Sequence, residues 1–197
     1  MKHKFSFLLL TMCTLSLFAC ASNNTNAGRA VGINNSHLDF ALLIINAQSD
    51  YFEGGSQTLH NSVVVLNNIE NILLQYRAME FDIIHVQQVN TEPHSRLAPF
   101  ENETLIIMRQ SENFVKNELH PFLRKNGINR LIVCGMQTNE SVAEIINECR
   151  ALGIRITLIT DACAAKTAEL HDSAIEQMRE NNVRTTITSE YGYGYGF

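Results

Sequence analysis

The sequence predicts an α/β fold in which helices cover both faces of a mainly parallel, doubly wound sheet of about six strands, giving three αβα layers. Short β-branched runs alternate along the chain with amphipathic stretches of helical period. The runs are almost continuously apolar, which is typical of strands that are buried on both faces. The length, 197 residues of which 45% are hydrophobic, suits one domain with a substantial core.

The elements follow one another in an alternating order. Residues 40–45 (FALLII) predict the first buried strand, and apolar residues at helical spacing predict a helix over 63–79. Further strands are predicted at 82–87, 105–108, 131–134, 154–159 and 183–187. Further helices are predicted at 112–125, 139–152 and 168–180, the first two ended by Gly127 and Gly153. Ligands of such folds bind at the carboxyl ends of the strands, so functional residues are expected after Ile45, Met108 and Cys134.

The N-terminus has the pattern of a secretory signal. Lys2 and Lys4 precede an apolar stretch over 5–19 that is too short to span a membrane, and the stretch ends at Cys20. Residues 17–20 (LFAC) resemble the bacterial lipobox, in which the cysteine is lipidated and becomes the mature N-terminus; a plain signal peptide cut nearby is the alternative. The predicted organisation is a signal peptide (1–19), a lipidated cysteine with a polar tether (20–37), the domain (38–190) and a Gly/aromatic tail (191–197). By resemblance, the lipid anchors the chain in the outer membrane, facing the periplasm.

The charge balance disfavours nucleic acid as a partner. The formal net charge is −5, and removal of residues 1–19 leaves 13 basic and 20 acidic side chains, or −7. Three cysteines then remain in the domain besides Cys20: Cys134, Cys149 and Cys163. Their apolar surroundings favour burial as small hydrophobic residues, although a disulfide between Cys134 and Cys163 remains possible.

Three segments at the strand ends resemble one family. Residues 41–55 (ALLIINAQSDYFEGG), 135–142 (GMQTNESV) and 160–164 (TDACA) resemble, in order and spacing, the motifs of the isochorismatase-like cysteine hydrolases. The resemblance covers residues 38–188 and implies that family's fold.

The resemblance also implies a catalytic triad, and all three of its members are changed. The family uses an Asp as general base, a Lys that stabilises charge, and a Cys nucleophile. By resemblance these positions fall on Asn46, on Met108 or Arg109, and on Ser141. Asn46 is no base, Met108 is uncharged, and a serine hydroxyl is a far weaker nucleophile at pH 7 than a thiolate. Since a general base alone contributes about 10²- to 10⁴-fold, the sequence predicts that catalysis is lost.

A binding geometry is expected to remain. By resemblance, Met136, Gln137 and Ser141 form the oxyanion or ligand-binding part of the site, with a cis peptide between Met136 and Gln137. Helix capping is the alternative role of Thr138 and Ser141. The six histidines after residue 30 show no metal-ligand spacing, and the sequence has no Asp-x-His, so we expect no metal and no cofactor. Segment 89–104, where members of the family commonly have substrate-covering loops, is shorter than in the family.

The leading functional hypothesis is a lipid-anchored binding or scaffold subunit of an envelope assembly that has lost hydrolase activity. If extended, the tail YGYGYGF would place its four aromatic rings on one face and could add as a strand to a partner's sheet. A flexible tail without fixed structure is the simpler interpretation. The alternative is an active amide or ester hydrolase of the isochorismatase or nicotinamidase type that uses Ser141, Cys134 or Cys163. A small-ligand sensor is a third possibility, and homo-oligomers are possible.

Overall fold

The computed structural model describes residues 38–109 and 113–191. The predicted signal peptide, Cys20 and tether, and the tail beyond Tyr191, lie outside these residues. Within the described part of the chain, none of the helices has the length and apolar character needed to cross a bilayer. Among the described residues, the hydrophobic core is built from side chains between Phe40 and Val183, and a chain that begins at Ala21 retains these.

The six predicted strands form one parallel sheet. In chain order they are β1 (Phe40–Ile45), β2 (Ile83–Gln88), β3 (Thr104–Met108), β4 (Arg130–Met136), β5 (Arg155–Ala164) and β6 (Arg184–Thr186). Their order across the sheet is β3-β2-β1-β4-β5-β6, and every neighbouring pair is parallel. The first three strands extend the sheet to one side of β1, and the last three extend it to the other side. This order confirms the predicted doubly wound α/β fold.

Helices connect the strands and cover the sheet. They are α1 (Ser62–Ala78), α2 (His120–Lys125), α3 (Ala143–Ala151), α4 (Ala168–Glu180) and the one-turn α5 (Thr188–Tyr191). The chain moves across the sheet in one direction from β1 to β3 and in the other from β4 to β6. Because the connections between parallel strands are right-handed, α1 lies on one face of the sheet, and α2, α3 and α4 lie on the other. The central strand β1 is buried along its whole length, with one apolar face for each helical layer.

The structure departs from the sequence prediction at a few places. The helices predicted at 112–125 and 139–152 each begin with a π-helical turn, Val115–Leu119 and Thr138–Val142. The last strands differ as well: β5 runs on to Ala164 because its register against β4 shifts between Val133 and Gly135. Tyr191, assigned to the tail, is the last residue of α5, so it cannot join an extended stripe of four rings. Its ring stacks on Tyr76, and the two hydroxyl groups are hydrogen-bonded at 2.6 Å.

β1 and β4 approach each other unusually closely at their carboxyl ends. Gly135 lies opposite Ile45 in the register and has a φ of +124°. A Cβ atom at position 135 would lie 2.0 Å from the Ile45 carbonyl oxygen, where no side chain can fit. The glycine therefore sets the spacing of the two strand ends, after which Asn46 and the Met136–Gln137 peptide follow.

We predict that Gly135→Ala destabilises the domain by more than about 3 kcal/mol, because the Cβ atom collides with backbone that cannot move away cheaply. The matched control is Gly153→Ala. Gly153 also has a positive φ, +82°, but has open space around the added Cβ, so only the conformational cost of about 1 kcal/mol is expected. Urea unfolding of both variants measures the difference, and equal losses would contradict the steric explanation.

Candidate functional site

The positions that the sequence resemblance assigns to the family triad lie at the carboxyl edge of the sheet. Asn46 directly follows β1, Met108 is the last residue of β3, and Ser141 lies in the π-helical turn after β4. Met108, Arg109 and Ser141 line one cavity of about 430 Å³, whereas Asn46 is not among the residues that line it. Parallel strands thus bring together side chains that lie more than thirty residues apart in the sequence.

The cavity combines apolar walls with a charged side. Its apolar side chains include Phe114, Val115 and Ile145, and three charged side chains, Arg109, Glu144 and Glu148, also line it. The sequence interpretation missed both glutamates. They follow Ser141 by three and seven residues, which places all three on one helical face, and this spacing could have revealed them.

Asn46, which the resemblance assigns to the position of the family's base, is a buried, neutral amide. It is 1% exposed and has a φ of +48°, a left-handed conformation that asparagine tolerates better than most residues. Its backbone N–H donates to the Val86 carbonyl at 2.7 Å. Neither its side-chain nitrogen nor its side-chain oxygen has a hydrogen-bond partner among residues 38–109 and 113–191. A buried amide without partners costs about 1 to 3 kcal/mol.

Among the described residues, Ser141 has no partner of the kind that a serine nucleophile needs. Its hydroxyl makes no hydrogen bond to a histidine or carboxylate in the described chain, and it is half-buried at the cavity wall. The peptide bond between Met136 and Gln137 is cis, as the resemblance implies. The backbone N–H groups of Glu140 and Val142 both donate to the Gln137 carbonyl at 3.1 Å and hold the turn together.

The capping role considered for Thr138 and Ser141 is wrong. Neither the π-helical turn nor α3 has a side-chain cap. Thr138 is fully buried, and its hydroxyl is hydrogen-bonded at 2.9 Å to Nδ1 of His171 on α4. This contact ties the turn that carries Ser141 to α4.

The three cysteines of the domain are poorly suited to act as nucleophiles. Cys134, Cys149 and Cys163 are buried and free, so the possible disulfide between Cys134 and Cys163 is not formed. Burial raises the pKa of Cys163 to about 12 and that of Cys149 to about 12, and it also raises the pKa of Cys134. At neutral pH these groups are therefore protonated thiols rather than nucleophilic thiolates.

A buried ion cluster fixes the segment that leads into β3. The Glu103 carboxylate, 4% exposed, accepts hydrogen bonds from Arg77 at 2.6 Å and from His85 Nε2 at 2.9 Å. Burial acts to raise the pKa of Glu103, but the hydrogen bonds from Arg77, the Phe100 N–H and His85 hold this pKa below its ordinary value. The Arg77 guanidinium also lies 3.7 Å from the centre of the Phe100 ring. Segment 89–103 is thereby held against α1 and β2.

The described residues contain no group of three or more His, Cys, Asp or Glu side chains arranged to hold a metal ion. The metal-free expectation from the sequence stays a prediction.

Comparisons with known proteins agree with the fold and the motifs. The family model "Isochorismatase domain" matches residues 40–190. YddQ, an uncharacterised isochorismatase family protein of Bacillus subtilis, is 28% identical over 149 residues, which cover 68% of this chain and 83% of that protein. A "Probable inactive nicotinamidase" of Arabidopsis thaliana is 32% identical over 92 residues, which cover 46% of this chain and 47% of the relative. The crystal structure of an isochorismatase from Pseudomonas putida is 27% identical, with a TM-score of 0.70, over 79% of this chain and 90% of that one.

We predict that the domain becomes less stable as the pH falls below about 6.5, the ordinary pKa of histidine. Burial lowers the pKa of His85, so the unfolded chain binds a proton more readily than the folded one, and stability rises with pH through this window. Burial lowers the pKa values of His94 and His171 too, and these groups contribute with the same sign.

The measurement is urea unfolding of the wild type and of His85→Gln at pH 5.5 and pH 7.5. Glutamine retains an N–H donor for Glu103 but does not titrate, so the difference between the two pH values should shrink without vanishing. An unchanged difference in the variant would show that His85 does not titrate as its burial implies.

Proposed function

This chain belongs to the isochorismatase family, and we propose that it is a member without hydrolase activity that acts by binding, as a lipid-anchored subunit of a bacterial envelope assembly. The observation that carries the loss of activity is the neutral, buried amide of Asn46 at the position of the general base. An amide cannot accept a proton at physiological pH, so this side chain cannot serve as the general base.

The other changed positions support the same conclusion. Ser141 has no hydrogen-bonded base within the described chain, so its hydroxyl stays protonated and weakly nucleophilic. Met108 lines the cavity where the family has a lysine, and Arg109 beside it keeps its proton at any physiological pH. The relative named a probable inactive nicotinamidase is a precedent for loss of activity in similar sequences.

The cavity supports a binding role. A volume of about 430 Å³ with apolar walls, one guanidinium and two carboxylates suits a small molecule that has an apolar body and polar substituents. Three polar side chains also line the cavity: Gln88, Asn113 and Ser141. Ligand groups that both donate and accept hydrogen bonds would complement them. The sensor hypothesis and the scaffold hypothesis share this site, since a bound ligand can also regulate a scaffold.

The envelope location is supported by the sequence alone, through the lipobox-like residues 17–20. Protein partners would bind at exposed surfaces of the domain or to the aromatic residues that follow α5.

The alternative function is hydrolysis of small amides or esters by Ser141. The supporting observation is that Glu144 and Glu148 line the same cavity as Ser141, so that a carboxylate is present on its helical face. The assay below decides between the two functions.

We predict that the purified chain from Ala21 onward does not hydrolyse nicotinamide, isochorismate or p-nitrophenyl acetate above the rate of its Ser141→Ala variant. The triple variant Asn46→Asp, Met108→Lys and Ser141→Cys restores the family's groups and should raise hydrolysis of at least one substrate about 100-fold or more. Matched controls are the three single variants, each of which lacks two of the groups. Turnover by the wild type that disappears in Ser141→Ala would establish the alternative.

We predict that Cys20→Ser abolishes incorporation of labelled palmitate and releases the chain from the membrane fraction of expressing bacteria. Cys13→Ser is the matched control, because Cys13 lies inside the predicted signal peptide and should leave labelling and fractionation unchanged. Continued labelling of Cys20→Ser would contradict the lipid anchor.

A further inference from the structure

Basic residues gather at the amino edge of the sheet, on the side where β4, β5 and β6 begin. Each of these strands starts with an arginine, and the helix before each strand carries one or two basic residues in its last turn. Because each helix returns the chain to the amino edge, the helix ends and the strand starts lie together. Seven of the twelve Lys and Arg residues in the described chain make up this basic edge: Arg124, Lys125, Arg130, Arg150, Arg155, Arg179 and Arg184.

The sheet register places the arginines of the strands on adjacent strands. Arg130 pairs with Arg155 across β4 and β5, and Arg184 on β6 lies opposite Thr157 of β5. Neighbouring strands are about 4.8 Å apart, so these positive charges are close to one another. Asp39, just before β1, offsets part of the charge, because its carboxylate accepts hydrogen bonds from Arg130 at 2.9 Å and from Arg155 at 2.6 Å.

The basic edge keeps an excess of positive charge. Four of its members are at least partly exposed and form no ion pair with any residue that the structure describes: Arg124, Lys125, Arg150 and Arg184. Glu176 and Glu180 at the end of α4 join Asp39 as its acidic neighbours, three against seven basic side chains. Outside this group the described chain has five basic and 16 acidic side chains, so the positive charge is confined to one part of the surface.

The helix dipole explains only part of this pattern. Cations in the last turn of a helix are stabilised by its carbonyl groups, so the basic residues that end α2, α3 and α4 need no ligand. Strands have only small net dipoles, and no such effect acts on the first residue of a strand. The arginines that begin β4, β5 and β6 therefore indicate a surface that meets anions.

The chain enters the domain at the same edge. Phe40, the first residue of β1, lies opposite Arg130 in the register, so the residues that precede β1 join the domain beside the basic edge. Under the proposed function, on which this step rests, the lipid at Cys20 therefore holds the domain from this side.

We propose that the basic edge docks the domain on a membrane surface that carries anionic phospholipid headgroups. Phosphate oxygens accept charge-assisted hydrogen bonds from guanidinium and ammonium groups, and basic residues close to an anionic membrane add to the affinity for it. A flat layer of headgroups contacts this edge alone, whereas a nucleic acid that extends past the edge also meets the acidic remainder of the domain. Docking in this way directs the carboxyl edge of the sheet, and with it the cavity that Ser141 lines, away from the membrane.

Vesicle sedimentation tests the proposal on the chain from Ala21 onward, which lacks Cys20 and its lipid. The chain should bind phosphatidylcholine vesicles that contain about 40% phosphatidylglycerol at about 20 mM salt, and should not bind vesicles of phosphatidylcholine alone. Because salt screens these contacts, the affinity should fall about tenfold or more at about 200 mM salt. The Cys20→Ser experiment tests the lipid separately, so that a failure of the anchor and a failure of the basic edge are distinguishable.

Removal of charge tests which surface binds. One basic residue near an anionic surface contributes about fivefold to the affinity, so the double variant Arg124→Gln and Lys125→Gln should bind about tenfold more weakly or worse. The matched control is Lys116→Gln with Lys166→Gln, which changes the net charge equally at two exposed lysines near the carboxyl edge and should bind within about twofold of the wild type. Circular dichroism checks that both variants are folded. A wild type that does not bind the anionic vesicles or binds neutral vesicles equally, or equal losses in the two variants, would overturn the proposal.

Discussion

The close contact between Gly135 and Ile45 is the constraint on which the rest of the site depends. With no Cβ atom at position 135, the β4 backbone lies against the Ile45 carbonyl, and the two central strands end side by side. Asn46 then leaves β1 in a left-handed conformation, and the cis peptide leaves β4 toward the turn that carries Ser141. The hydrogen bond between Thr138 and His171 secures that turn from the side of α4.

Within this framework the positions that the resemblance assigns to the family's base and lysine carry no matching charge, and electrostatics explains why the two changes would occur together. A carboxylate at position 46 would be buried among apolar residues, and a buried carboxylate needs a cationic partner to remain ionised. With methionine at 108 and an exposed arginine at 109, that partner is displaced or lost. An uncharged asparagine avoids the unpaired charge but gives up the base. The single variant Asn46→Asp would accordingly hold a protonated acid rather than a working base.

The sequence predicted the central strands well because both faces of β1 and β4 are buried, which leaves a continuous apolar run that is easy to read in 40–45 or 131–134. It also placed the triad positions at the strand ends, through the resemblance. It did not reveal features set by distant packing. The Glu103 carboxylate finds Arg77 and His85 only in the folded chain, and the extension of β5 depends on a register shift against β4. Tyr191 looked like part of a Gly/aromatic repeat, and only its stacking on Tyr76 makes it part of the domain.

The central claim is that Ser141 is not an activated nucleophile, and a substrate-independent probe tests this most directly. The chain from Ala21 onward is incubated with a fluorophosphonate, which reacts covalently with activated serines, and intact-protein mass spectrometry with peptide mapping follows the adduct. The account predicts no more adduct at Ser141 than at an exposed serine such as Ser49, because no described group takes the Ser141 hydroxyl proton. Rapid, stoichiometric labelling of Ser141 that is lost when the chain is unfolded would show a working nucleophile and contradict the account.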